Sequence, residues 1–170
     1  MSDMERLDRL SSNLRHSLVD IRLRAAQNLQ FKLLSNVLGD GIYSSSTCMT
    51  SLANGISGSI QMLISGNDWQ LPSSSSSKLM EELLLLTQTI GKKSNMTPET
   101  ANESFAKLID DLYTVFSKCE NTDPMHKLAE KVNYKSFDTF LIYYSDDYSL
   151  THTSSFSFTH SLHHVTYAVD

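Results

Sequence analysis

Leucine recurs at 7, 10 and 14 with Arg6, Asp8 and Arg9 around them, the three-and-four spacing of one apolar helix face. That spacing predicts a short helix over 4–15. A longer stripe follows in Leu18, Ile21, Ala25, Leu29 and Leu33, predicting a helix from a cap at Ser17 to about Leu38. Asp20, three residues past Ser17, completes a capping-box-like start, and Gly39 is placed to end the helix. Val19, Leu23, Leu34 and Val37 widen the apolar arc onto a second flank, as in a helix buried on two sides. Arg22 falls inside the main stripe, within about 40° of Leu18. A buried guanidinium without a partner is costly. Two readings stay open: Arg22 bridges to helix-end carbonyls or to Asp8 or Glu5 of the first helix, or its stem packs while its head reaches water.

Residues 40–47 read as a loop. Met49, Leu52, Ile56, Ile60, Leu63 and Ile64 then predict a helix over about 47–65. Gly55 and Gly58 each weaken it by roughly 1 kcal/mol relative to alanine, which points to close helix packing. The surrounding NGISGS lacks the lysine of a phosphate loop. Residues 66–77, with the serine run 73–77, read as a flexible connection. A fourth helix is expected from 77 to Ile90, ending at Gly91. Thr97, Pro98 and Glu99 form a strong start: cap, first-turn proline and early acid. Ala101, Phe105, Leu108, Leu112, Val115 and Phe116 carry that helix to Lys118. Asp123 and Pro124 repeat the start, followed by Met125, Leu128, Ala129 and Val132.

After Tyr134 the composition changes. Residues 134–170 hold nine of the fifteen aromatics and four of the six histidines, among Ser and Thr without helical period. SSFSFTH alternates like a strand with nothing to pair with. The expected organisation is an all-α domain over 1–132, built of stacked helical hairpins, and a non-repeat, irregular or disordered tail over 133–170.

At 170 residues the chain suits one domain. Its formal charge of −5 opposes nucleic-acid binding, which needs a basic face, although all five arginines lie in the first 24 residues. The charged start MSDMERLDRL is not a secretory signal, and the longest apolar run, residues 83–86, is far too short to span a membrane. Two cysteines form no disulfide framework and fit a reducing compartment. Asn95 and Asn102 sit in glycosylation triplets that mean nothing without secretion.

Motifs of catalysis are missing from the chain: G-x-S-x-G, H-E-x-x-H, C-x-x-C and the glycine fingerprint. His160, His163 and His164 have no carboxylate or thiol at metal-site spacing. Cys48 and Cys119 read as inert thiols, with no histidine close in sequence to activate them. The pair Asp110 and Asp111 is expected on the solvent edge of its helix. The expectation is therefore a non-enzyme with no catalytic, cofactor-binding or metal-binding residue, no cofactor, no small-molecule substrate and no membrane contact.

Residues 20–29, DIRLRAAQNL, place an aliphatic–arginine pair before two small residues and a leucine. This resembles the second helix of HEAT repeats, with Ala25 and Ala26 allowing close approach of a neighbour. Over about residues 10–38, Leu14, Leu18, Ile21, Arg22, Arg24, Ala25, Leu29, Lys32, Leu33, Asn36 and Val37 resemble the extreme N-terminus of the rotatin family. Its members are very long armadillo/HEAT-like proteins of centrioles and ciliary basal bodies. The resemblance implies an armadillo-like scaffold for centriole assembly and basal-body organisation, at the cytoskeleton of the cytoplasm. Its partners would be centriolar assembly proteins, with the binding residues unassigned. Without the resemblance, the same residues suit a cytosolic HEAT-like adaptor unrelated to centrioles.

Overall fold

A computed structural model of the chain describes residues 2–119 and 124–129. Among the described residues there are six α-helices: α1 (Asp3–Asn13), α2 (Val19–Leu34), α3 (Ser46–Ile64), α4 (Ser75–Lys93), α5 (Pro98–Lys118) and α6 (124–129). Short 3-10 turns at Asp40–Ser44 and Asp68–Gln70 interrupt two of the connections. Among the described residues there is no strand.

Hydroxyl residues start four of the helices. Ser2 and Glu5 form a reciprocal capping box on α1: the Glu5 N–H donates to Ser2 Oγ, and the Ser2 N–H donates to Glu5 Oε2. Ser45 caps α3, Ser74 caps α4, and Thr97 caps α5 with Pro98 in its first turn. The serine run is thus the start of α4 and not a linker. Ser74 Oγ also donates to the Asp68 carbonyl at 2.7 Å, tying the preceding turn to the helix. That turn buries Trp69, so the connection expected to be flexible is packed. The loop expected at 40–47 likewise buries Ile42 and Tyr43.

The ends of α2 depart furthest from expectation. Leu18 occupies the cap position with no side-chain bond, and Ser17 caps nothing. Leu18 itself, assigned to the buried stripe, is exposed. Arg22 supplies the missing tie. It is 3 % exposed, and its Nη1 donates to the carbonyls of His16, at 2.8 Å, and Ser17, at 3.3 Å. The cation therefore clamps the α1–α2 connection, and neither Asp8 nor Glu5 meets it. Asp8 accepts from Ser51 Oγ, and Glu5 is engaged in the capping box. Burial pushes the Arg22 guanidinium below its ordinary pKa. At the other end the helix stops at Leu34, not Leu38. Asn36 at φ 56° takes the left-handed turn expected of Gly39, which instead opens the first 3-10 turn.

Hydrogen bonds between helices reveal the layering. Along α1 and α3, Met4 meets Cys48 and Asp8 meets Ser51, at sequence separations of 44 and 43. Along α3 and α5, Thr50 bonds Ser104 and Ser57 bonds Asp111, both 54 apart. Gln30 accepts from Thr89, and the Leu33 carbonyl accepts from Lys93, 59 and 60 apart along α2 and α4. Nearly constant separations mean parallel helices. One layer therefore contains α1, α3 and α5, and the other α2 and α4. The 43–44 step matches the roughly 40–47 residues of HEAT and armadillo units. Both longer steps cross the second 3-10 turn, Asp68–Gln70, which the 43–44 step does not.

Successive helices reverse direction between the layers. The starts of α2 and α4 lie together, with Leu18 and Asp20 beside Asp68, Leu71 and Ser74. The end of α5 lies near the same turn, where Gln70 Nε2 donates to the Lys118 carbonyl. At the opposite end, the Asn95 N–H donates to the Tyr43 carbonyl. This is the all-α stack of hairpins that the sequence predicts. In α6, His126 stacks on Phe116 of α5 with ring centroids 3.9 Å apart, and Ala129 is buried. Val132 and the tail expected at 133–170 lie outside the described residues.

Candidate functional site

Helix α3 lies at the centre of the first layer and carries no charged residue over its whole length. Its two sides meet neighbours in different ways. Toward α1 it presents Gly55 and Gly58, the close packing expected. A Cβ on Gly55 would fall 3.1 Å from the Ser11 carbonyl oxygen and 3.3 Å from Leu14 Cδ1. Toward α5 it presents Ser57 and Gln61, which converge on Asp111. Ser57 Oγ donates to Asp111 Oδ2, and Gln61 Nε2 donates to Oδ1 at 3.3 Å.

Asp111 corrects the solvent-edge expectation: it is 7 % exposed, while its neighbour Asp110 is exposed. Burial raises its carboxyl pKa above the ordinary value, opposed by the bonds from Ser57 and Gln61. Asp110 raises it further and Lys107 lowers it. A buried carboxylate held by neutral donors fixes helix register. Further along the same pair of helices, Thr50 donates to Ser104 at 2.9 Å.

The other positions singled out from sequence do not converge. Cys48 is buried at the α1–α3 contact, its thiol 3.2 Å from Met4 Sδ, and Cys119 lies at the far end of α5. Among the described residues, no group of three metal-ligating side chains comes together. His160, His163 and His164 lie outside those residues. No described helix is long and apolar enough to cross a membrane.

Sequence reasoning missed the outer face of α2. Of the second apolar flank, read as buried, Val19 and Leu23 pack partly buried against the core, but Leu34 is 60 % exposed and Val37 55 %, and Phe31, assigned to neither stripe, is 68 % exposed. The buried residues of α2 are Arg22, Ala25, Ala26, Leu29 and Leu33. At about 100° per residue, Phe31 and Leu34 point roughly 120–180° away from the centre of that set. They are therefore not the fringe of the core. A signal existed in their spacing, which continues an outer stripe through Asp20, Arg24 and Gln27. Polar residues at its start and apolar ones at its end mark a face wet in one half only.

No protein-family model, curated protein or solved structure matches the chain.

Proposed function

We propose that the chain is a non-enzymatic helical scaffold segment that acts through protein contacts at centrioles and ciliary basal bodies. The observation that carries the scaffold part is the regular layering of α1, α3 and α5 against α2 and α4. Stacks of this kind bury a continuous core between hairpins and leave helix faces for partners. Two buried charged groups also bond across or between helices, Asp111 with Ser57 and Gln61 of α3, and Arg22 with the α1–α2 connection. Such groups hold the stack together. The centriolar part rests on the rotatin-like residues over 10–38, in which Arg22 and Ala25 are both buried.

The test is localisation of the tagged full chain in dividing and ciliated cells. It should concentrate at centrioles or basal bodies. Diffuse signal from folded chain would remove the centriolar role and leave a cytosolic adaptor, the second reading. That reading draws its own support from the exposed Phe31 and Leu34 on α2 and Val37 just beyond it, which suit a partner anywhere in the cell.

A further inference from the structure

We propose that the C-terminal half of the outer face of α2 docks a protein segment that is apolar along one side and acidic at its flanks. This deepens the scaffold reading and rests on it. Single exposed apolar side chains are ordinary. Phe31 and Leu34 at the end of α2 and Val37 in the turn just beyond it instead lie within seven residues, all more than half exposed.

Their charged surroundings select the partner. Lys32 follows Phe31 in the last turn of α2, and Lys92 lies in the last turn of the parallel helix α4. The adjoining Lys93 is engaged: its Nζ donates to the Leu33 carbonyl at 2.7 Å and to Asn36 Oδ1 at 2.8 Å. Lys32 and Lys92 have no such engagement among the described residues. At this end of α2 and α4, Lys32 and Lys92 outnumber the exposed Asp40, against the formal charge of −5 for the whole chain. Complementary charge on a partner would raise the rate and the selectivity of its docking. A second copy meeting this face across a two-fold axis would bring lysines onto lysines. A lipid surface is less favoured, because the N-terminal half of the same outer stripe is polar, with Asp20, Arg24 and Gln27 and no net charge.

The experiment titrates the full chain into two labelled synthetic peptides of about 18 residues, long enough for helix formation. Both carry the same Leu/Phe stripe, one flanked by Glu and the other by Lys. The acidic peptide should bind at least about tenfold more tightly in roughly 50 mM salt, and the gap should narrow as salt rises. The double variant Phe31→Ser, Leu34→Ser should lose about tenfold or more in affinity for the acidic peptide. Lys32→Glu with Lys92→Glu should reverse the preference. All four positions face solvent at least in part, and unchanged thermal melting checks that the variants fold. Equal binding of the two peptides, or none, overturns the proposal. So does dimerisation abolished by Phe31→Ser, peptide binding that appears only after removal of residues 130–170, or co-sedimentation with anionic phospholipid vesicles without peptide binding. Centriolar localisation of a chain that binds neither peptide would retain the scaffold and sink this face. Acidic-peptide binding by a chain that stays diffuse would do the reverse.

Discussion

The two sides of α3 solve the same packing problem by opposite means. Toward α1 the chain removes side chains, so that Gly55 lies against the Ser11 backbone and Gly58 against Arg15. Toward α5 it adds them, with a polar set of Thr50, Ser57, Asp111 and Ser104 giving direction, and α5 itself fully buries Phe105 and Ile109. Apolar contact is non-directional and tolerates sliding by a turn, whereas hydrogen bonds between specific atoms do not. The glycine side therefore sets distance, and the polar side sets register. Both sides keep the helices parallel, so the layer can continue from one hairpin to the next.

The largest expected effect is on the filled side. Phe105→Ala should destabilise by about 3–5 kcal/mol, since it combines lost transfer energy with a cavity. Denaturant unfolding measures it, and a loss below about 1 kcal/mol would show that the core around Phe105 is loosely packed.

The next largest effect falls on the empty side. Gly55→Ala should cost about 1–2 kcal/mol, because overpacking against a backbone carbonyl outweighs the helical preference for alanine. A stabilised Gly55→Ala variant would mean that α1 can retreat and that contact distance is not what Gly55 provides.

Asp111→Asn probes the register device through pH. The folded-state pKa of Asp111 is raised, so between the ordinary carboxylate value and the raised one the folded chain holds a proton that the unfolded chain has released. Stability contributed by this group is therefore greatest at acid pH and falls as pH rises through that window. Relative to Asp111→Asn, the parent chain should lose stability from about pH 4 upward, with a slope of at most about 1.4 kcal/mol per pH unit inside the window. Parallel stability–pH curves for the two chains would show that the buried carboxylate bears no net penalty.

Gly58→Ala should have the smallest effect, within about 1 kcal/mol and stabilising in sign. Its Cβ would meet the Arg15 side chain, with Nε at 3.1 Å, which can move aside where a backbone carbonyl cannot. A loss as large as that of Gly55→Ala would erase the distinction between the two glycines.

Much of this architecture was legible beforehand. The leucine stripes announced α1 and α2, and Thr97 with Pro98 announced α5 to the residue. One signal was legible and passed over: Ser2-Asp3-Met4-Glu5 is a capping-box sequence, and the box forms there and not at Ser17. The serine run showed its capping role only through Ser74, since any of its serines could have capped a helix.

What the chain determines by itself is which residues share a face, because 3.6 residues per turn is a local property. Which face finds a neighbour is not local. Asp110 and Asp111 are adjacent, about 100° apart on α5, and only the position of Ser57 and Gln61 on α3 decides that the second is buried. Arg22 could have reached a carboxylate or water. The turn taken by His16 and Ser17 presented two carbonyls first. The wide apolar arc of α2 fits a helix covered on two sides as well as one covered on a single side. Among the described residues, α4 and the first layer leave Phe31 and Leu34 to solvent, because burial depends on how many helices surround a position and the pattern along one helix does not count its neighbours.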